Sequence, residues 1–171
     1  VFYGDVLMDV HLPRLFDFHR TKGVVVTIAV HPNDHPSDSD LVEVDQEDRV
    51  IAIHNKPHDP DVPRRNLVSA ALYVMSPSVL GHIERGRSSD VGRDVFPRLL
   101  ASEETISAYQ TREYIKDVGT VKRLSEVEAD LLAQRPLHFN LESPVGAVFL
   151  DRDGVLNHPV EPLRSADQLR L

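Results

Sequence analysis

The stretch that decides the fold is VVVTIAV at residues 24–30, a mostly β-branched run in which apolar and polar side chains do not alternate. Such a run predicts a central strand covered on both faces, because a strand with one wet face alternates apolar and polar residues. LPRLFDFHRTKG at 12–23 has apolar residues at helical spacing and a closing glycine, which predict a helix. VFYG at 1–4 predicts an earlier buried strand. Strand, helix and strand in this order predict an α/β fold with a parallel sheet.

The following residues continue the alternation of elements. They predict a hairpin, three further strands and a helix whose apolar face is Val121, Leu124, Val127, Leu131 and Leu132. The segments are DLVEVD with RVIAIHNK (40–45 and 49–56), NLVSAALYVMS (66–76), TISAYQT (105–111), EYIKDVG (113–119) and TVKRLSEVEADLLAQ (120–134). Residues 135–145 carry two prolines and little periodicity, so we expect a linker between a first domain at 1–134 and a second segment at 146–171.

Composition limits the classes of partner. The chain has 19 Lys and Arg against 27 Asp and Glu, a formal charge of −8, which argues against general nucleic-acid or anionic-membrane binding. It has no cysteine, so disulfides and thiolate zinc sites are excluded within it. No apolar run approaches the roughly 20 residues that span a bilayer. We therefore expect a cytoplasmic protein that binds neither nucleic acid nor membrane.

Three polar residues follow predicted strands. Asp5 follows VFYG, Lys56 ends the hairpin before a proline, and Asp117 leaves the last strand of the first domain. Carboxylates at strand ends can hold a hard cation such as Mg²⁺, and a lysine can meet a phosphate as a point charge. Each residue has an ordinary alternative role, as a turn former, a solvated lysine or a helix cap.

The order of these segments resembles the sugar-1-phosphate nucleotidyltransferases, most closely those acting on heptose or hexose 1-phosphates. The similarity covers residues 1–134 through VFYGDVLMDVHL, DLVEVDQEDRVIAIHNKP, NLVSAALYVMSPSVLGHI and EYIKDVGTVKRL. It implies a Rossmann-like sheet with helices on both faces, and a nucleoside triphosphate and a sugar 1-phosphate as substrates. It also implies that Asp5 and Asp117 hold Mg²⁺ and that Lys56 is the catalytic-site lysine on the sugar phosphate.

The chain departs from that family pattern at three places. Asn55 stands where the family has Glu, and Ser69 and Ala71 stand in the N-x-G turn of the sugar pocket. Asn55 and Ser69 are still expected to contact substrate. The family's Gly-rich nucleotide loop lies before the GD segment, so we expect the N-terminal part of the domain to precede Val1 and this chain alone to be inactive. A non-catalytic sugar-nucleotide-binding or regulatory domain is the alternative.

A second polar tract, HPNDHPSDSD at 31–40, offers another metal site through His31 and His35. Histidines four apart share a side on a helix, and Pro32 and Pro36 disfavour a helix here. A polar loop over the sugar pocket is therefore the prediction, with the histidine metal site as its alternative.

AVFLDRDGVLN at 147–157 predicts a buried strand ending at Asp151, with Asp151 and Asp153 pointing the same way at i, i+2 spacing. Two such carboxylates suit an aspartyl-phosphate nucleophile and a proton donor beside Mg²⁺. The motif resembles the haloacid-dehalogenase-like phosphatases, in the heptose bisphosphate and histidinol-phosphate phosphatase branch. The resemblance implies Asp151 as nucleophile, Asp153 as acid/base, both on magnesium, and a phosphorylated sugar as substrate. We thus expect a bifunctional sugar-activating enzyme, with phosphatase activity alone as an alternative.

Overall fold

A computed structural model describes residues 1–59, 61–144, 146, 149–151, 155, 156, 158, 164, 165 and 168. The strands are β1 (Val6–Asp9), β2 (Val26–His31), β3 (Leu41–Val44), β4 (Val50–His54), β5 (Val68–Met75), β6 (Ile106–Gln110) and β7 (Tyr114–Asp117). The α-helices are α1 (Leu12–Lys22), α2 (Phe96–Ala101), α3 (Val121–Leu132) and α4 (Arg135–Phe139). Short 3₁₀ turns span Pro36–Asp38 and Pro77–His82, and one π turn, Val91–Val95, leads into α2.

The run that decides the fold forms an inner strand of a five-stranded mixed sheet. The strand order is β4-β3-β5-β2-β6, with β2 antiparallel to β5 and parallel to β6. Residues 26–30 are all buried. Their side chains alternate between two cores: Val26, Ile28 and Val30 pack in one, whereas Ala29 packs in the other. The prediction of a strand covered on both faces is confirmed.

Helices and a small second sheet cover the two faces of the central sheet. On one face α2 contributes Phe96 and Leu99 to the larger core. On the other face, Leu15 of α1 and Ile115 of β7 pack against β2 and β5. Helix α1 ends at Gly23, whose φ of 63° is the left-handed cap conformation that glycine adopts most easily. The fold is therefore the expected Rossmann-like α/β arrangement. The predicted parallel sheet is wrong, however, because among the described strands only β2 and β6 pair in parallel and the sheet is mixed.

The start of the chain differs from the prediction. VFYG is not a buried strand: Phe2 is 66% exposed and makes a single bridge to Leu72. The first strand is β1, which pairs antiparallel with β7 in a separate two-stranded sheet. The expected parallel neighbour of β2 is consequently β6 and not the first strand. Periodicity could not reveal this, because a short apolar run predicts a strand but not its partner.

The predicted hairpin and the last helix of the domain are both present. β3 and β4 pair antiparallel, as expected. The apolar face of α3 is mostly exposed, because only Val127 is buried and its other four residues are at least 50% exposed. The expected linker at 135–145 begins with a helix, α4, whose Arg135 pairs with Asp130 of α3.

The C-terminal motif lies partly outside the described residues. Phe149 and Leu150 are 94% and 61% exposed and belong to no strand, so the expected burial of these two residues is not observed. A strand is buried by pairing within a sheet and packing on another layer, and the described residues supply neither here. Asp151 is described and exposed, whereas Asp153 lies outside the described residues.

Candidate functional site

The carboxylates of Asp5 and Asp117 converge on Gly119. A Cβ placed on Gly119 would lie 3.3 Å from Asp5 Oδ2 and 3.0 Å from Asp117 Oδ1. Asp5 Oδ2 and Asp117 Oδ1 are thus no farther apart than the sum of their two distances from that Cβ position. The backbone ties the same point together, since Val118 N donates to Asp5 O at 2.8 Å and Gly119 N to Asp117 Oδ1 at 2.6 Å. The structure therefore brings together two carboxylates that are distant in the sequence.

The reason for this convergence differs from the one expected. Asp5 precedes β1 instead of ending a strand, and Asp117 is the last residue of β7. Because β1 and β7 are antiparallel, with Val6 opposite Asp117, the start of one strand meets the end of the other. The carboxylates therefore share a sheet edge through antiparallel pairing, and the rule for carboxyl ends of parallel strands does not apply to Asp5.

A chain of ion pairs leads from Asp117 to Lys56. Arg123, in the first turn of α3, has Nη1 2.9 Å from Asp117 Oδ2 and Nη2 3.6 Å from Asp38 Oδ2. Lys56 Nζ lies 3.1 Å from Asp38 Oδ1 and donates to Asp38 O at 3.0 Å. The loop carboxylate of Asp38 thus bridges two cations from different elements. The Lys56 hydrogen bond and charge lower the pKa of Asp38.

These groups line one cleft with a volume of about 710 Å³. Its walls are formed by the β1–β7 edge, strand β5, the loop at 31–40 and the segment that leads into α2. Charged side chains in the walls include Asp5, Lys56, Asp90, Arg112, Lys116, Asp117 and Arg123. Such a volume suits a small-molecule ligand, for which pockets usually measure about 300–1,000 Å³.

Of the remaining residues that were predicted to contact substrate, Ser69 lines this cleft and Asn55 does not. Ser69 and Ala71 line it, and Ser69 Oγ lies 3.4 Å from Tyr73 Oη. Asn55 does not line the cleft, and its buried Oδ1 has no hydrogen-bond partner among the described residues. The predicted site residues that the structure brings together are therefore Asp5, Asp117, Lys56 and Ser69. Asp151 is not among the residues that line the cleft.

Ala71 occupies a backbone conformation that favours glycine. Its φ is 54°, and it lies where β5 bulges, because Ile28 pairs with Tyr73 but Val30 pairs with Ser69. The bulge also contacts the start of the chain, since the backbone N–H of Tyr3 donates to the carbonyl oxygen of Ala71 at 3.1 Å. A glycine, as in the family's N-x-G pattern, would adopt this backbone conformation without strain. Alanine adopts it only with strain.

Replacing Ala71 by glycine is expected to raise the free energy of unfolding by about 0.5–1 kcal/mol, because the left-handed strain disappears. The measurement is urea unfolding followed by circular dichroism. The matched control is Ala70→Gly, at a buried strand position without positive φ, which is expected to destabilise. Equal destabilisation by both changes would contradict the strain at Ala71.

Residues that sequence reasoning missed lie in the polar loop and in α3. Arg123 and Asp38 were not singled out, although Arg123 lies six residues after Asp117 at the start of a predicted helix. The sequence feature that could have identified Arg123 is the N-cap of α3, Thr120. Its Oγ1 accepts a hydrogen bond from Arg123 N at 3.2 Å, which places the arginine in the first turn of the helix beside Asp117. Asp38 had no comparable local signal.

The loop at 31–40 lines the cleft, as expected for a loop over a ligand pocket. The alternative histidine metal site has no support, because the described residues contain no group of three or more His, Cys, Asp or Glu arranged to hold a metal. His35 Nδ1 instead lies 3.1 Å from Asn33 Nδ2 and 3.2 Å from Ser39 Oγ. Burial, followed by the nearby Lys116 charge, lowers the pKa of His31 to about 4.

His31 is expected to make stability depend on pH between about 6.5 and 4. In that window the unfolded chain binds a proton at His31 that the folded protein excludes, so the free energy of unfolding falls as pH drops. The slope is about 1 kcal/mol per pH unit, and His31→Asn should flatten it. Urea midpoints across the pH range measure this. The exposed His138→Asn is the matched control, and an unchanged slope in His31→Asn would contradict the prediction.

The residues at Gly119 fit a divalent cation. They form a recess that a single Cβ would fill, bordered by two carboxylate oxygens, the ligand type that Mg²⁺ prefers. Mg²⁺ is usually held by one or two carboxylates together with substrate phosphates and water, so two carboxylates are a sufficient protein contribution.

A mixed α/β domain with paired carboxylates, a lysine and an arginine around one ligand-sized cleft is suited to binding an anionic small molecule together with a hard cation. Comparison with known families identifies the protein family. The Nucleotidyl transferase family profile matches residues 1–134, so the chain belongs to the Nucleotidyl transferase family.

Several curated relatives are sugar-1-phosphate nucleotidyltransferases. The chain is 37% identical over 133 residues to a mannose-1-phosphate guanylyltransferase of Mycobacterium tuberculosis, covering 77% of this chain and 36% of that protein. It is 34% identical over 137 residues to a glucose-1-phosphate adenylyltransferase of Bacillus mycoides (75% and 36% covered), and 29% identical over 137 residues to one of Clostridium acetobutylicum (75% and 35%). The chain thus spans about a third of the length of these relatives. Within its described part, no helix is long and apolar enough to cross a membrane.

Proposed function

We propose that the protein containing this chain transfers a nucleotidyl group from a nucleoside triphosphate to a sugar 1-phosphate. A phosphate oxygen of the sugar 1-phosphate forms a bond to the α-phosphorus, and the bond from that phosphorus to pyrophosphate breaks. The products are an NDP-sugar and pyrophosphate. The observation that carries the proposal is the convergence of Asp5 and Asp117 on Gly119 in the cleft that also contains Lys56.

Each proposed residue has a defined task. Asp5 and Asp117 hold Mg²⁺, which, when bound, neutralises phosphate charge that develops during transfer. Lys56 binds the sugar phosphate as a point charge. Ser69 offers a hydroxyl to the sugar from the cleft wall. Phosphoryl chemistry asks little covalent work of a protein, so positioning and charge neutralisation are what these side chains contribute.

The side-chain oxygen of Asn55 has a narrower proposed role. This buried Oδ1 has no partner in the part of the chain that the structure describes, and Asn55 directly precedes Lys56, in the position where the family has Glu. Because Asn55 does not line the cleft, its contact with a sugar hydroxyl requires a shift of the short segment after β4. A buried acceptor without a partner costs about 1–3 kcal/mol, which a ligand hydroxyl could recover.

The sugar is proposed to be a heptose or hexose 1-phosphate. The named relatives act on mannose and glucose 1-phosphates, and the heptose rests on the sequence resemblance of residues 1–134. The test is to incubate the full-length protein with Mg²⁺, each of the common nucleoside triphosphates and a panel of glucose, mannose and heptose 1-phosphates. Pyrophosphate release with at least one pair is expected. Ligand binding without release from any pair would favour the non-catalytic alternative and overturn the proposal.

We also propose that residues 146–171 begin a haloacid-dehalogenase-like phosphatase domain, with Asp151 as nucleophile and Asp153 as acid/base on Mg²⁺. The support is the sequence motif FLDRDGVLN. A phosphatase that yields a sugar 1-phosphate would supply the transferase in the same protein. The full-length protein is expected to release phosphate from phosphorylated sugars, and Asp151→Asn to abolish that release. The remote Asp48→Asn is the control, and equal rates in all three proteins would overturn the phosphatase proposal.

A further inference from the structure

Asp38 places one carboxylate between two cations of the cleft. Its Oδ1 lies 3.1 Å from Lys56 Nζ and its Oδ2 lies 3.6 Å from Arg123 Nη2. Lys56 follows β4 and Arg123 belongs to α3, so the two cations come from separate walls of the cleft. One carboxylate thus contacts both cations, each through a different oxygen.

Stability does not explain this arrangement. The Asp38 side chain is 63% exposed on a 3₁₀ turn, and exposed ion pairs contribute little to stability because water screens them. Arg123 is the most buried of the three, with its side chain 30% exposed, and its other nitrogen is bound to Asp117. Arg123 therefore has a second anchor in the cleft, Asp117, whereas the carboxylate of Asp38 comes from an exposed loop turn.

The same geometry suits a phosphate monoester. A phosphate offers three terminal oxygens and about −1.5 to −2 charges near pH 7, against one charge for a carboxylate. Its oxygens can meet lysine and arginine at once, and arginine binds phosphate through paired N–H donors. A phosphate in this position would also be connected to Asp117 through Arg123, whose Nη1 lies 2.9 Å from Asp117 Oδ2.

We propose that the Asp38 carboxylate occupies the position of the sugar phosphate between Lys56 and Arg123, and that the substrate binds by displacing it. This inference rests on the proposed function and deepens it in two ways. It assigns Arg123 as a second ligand of the sugar phosphate, and it makes the loop at 31–40 an internal competitor that opens when substrate binds. Arg123 would then contact both the sugar phosphate and Asp117, the carboxylate that is proposed to hold the metal.

The test measures binding to the full-length protein by calorimetry, without nucleotide, using glucose 1-phosphate, mannose 1-phosphate and inorganic phosphate as probes. Asp38→Asn, and likewise Asp38→Ala, is expected to tighten binding about 2–10-fold, because the anion that competes for both cations is lost. Arg123→Ala is expected to weaken binding about 10-fold, with partial recovery in Arg123→Lys. In the Arg123→Ala background, Asp38→Asn should tighten binding less than it does alone.

Two controls separate this competition from a general charge effect. Glu84→Gln breaks an arginine pair at 2.9 Å with Arg87, and Asp48→Asn breaks a lysine pair at 3.3 Å with Lys22. Neither acid lines the cleft, so both changes should leave affinity within about 2-fold. An equal gain in Glu84→Gln, no gain in Asp38→Asn, or no binding of any probe by the wild-type protein would overturn the inference.

The result is independent of turnover. Tighter binding in Asp38→Asn without pyrophosphate release from any substrate pair would refute nucleotidyl transfer but support the displaced carboxylate. Pyrophosphate release with unchanged affinity in Asp38→Asn would support the transferase and refute the displaced carboxylate.

Discussion

Asp117→Asn in the full-length protein is expected to lower kcat/KM for pyrophosphate release about 10²–10³-fold, because a group that holds the charge-neutralising cation loses its own charge. The amide keeps an oxygen that can accept from Gly119 N, so the local turn is preserved. The Mg²⁺ concentration that gives half-maximal rate should rise in the variant. Rates measured across a Mg²⁺ titration, with unfolding midpoints alongside, distinguish loss of the cation from loss of the fold.

The matched control for Asp117→Asn is Asp9→Asn. Asp9 lies at the other end of the β1–β7 pair, opposite Tyr114, and outside the cleft. Its replacement removes the same charge from the same small sheet and should leave the Mg²⁺ dependence as in the wild type. Near wild-type turnover by Asp117→Asn at all Mg²⁺ concentrations would refute the proposed metal role.

Gly119→Ala is expected to lower activity about 10-fold although it changes no charge, since the carboxylates must shift by a few tenths of an ångström and displacement of reacting groups by about 1 Å can cost 10²-fold. The added Cβ would lie 3.0 Å from Asp117 Oδ1 and 3.3 Å from Asp5 Oδ2, closer than about nine in ten contacts of this kind. The carboxylates must then move apart. Gly119 does not have a positive φ, so the backbone accepts alanine without left-handed strain.

Gly81→Ala is the control for Gly119→Ala, because a Cβ at Gly81 meets no atom within 4 Å. Pyrophosphate release and far-ultraviolet circular dichroism are measured for both variants. The expected pattern is an intact fold in both and reduced activity in Gly119→Ala alone. Wild-type activity in Gly119→Ala would show that the separation of the two carboxylates does not matter for turnover.

Most elements of the first domain could be predicted from local sequence patterns. The buried run at 24–30, the hairpin of β3 and β4, and the helix after Gly119 all appear where the patterns place them. Each of these depends on side-chain periodicity or on neighbouring residues. The failures have a different source. The four exposed apolar residues of α3 form a regular amphipathic pattern, but periodicity does not reveal whether another surface covers that face.

The candidate site divides in the same way. Asp5, Lys56 and Asp117 were found because they follow apolar segments in a recognisable order. Arg123 and Asp38 were missed because their importance comes from contact across 85 residues of sequence, Nη2 to Oδ2 at 3.6 Å. An aspartate in a polar loop has no local mark that distinguishes it from its solvated neighbours.

By itself the sequence determined the α/β class, the buried central strand and the family to which residues 1–134 belong. Those properties follow from hydrophobic periodicity and from short motifs, which are local. Only the tertiary structure decided that β1 pairs antiparallel with β7, that Asp5 thereby meets Asp117 at Gly119, and that Asp38 lies between Lys56 and Arg123. Strand partners and ion pairs between distant segments depend on how the whole chain packs, and no local pattern encodes that choice.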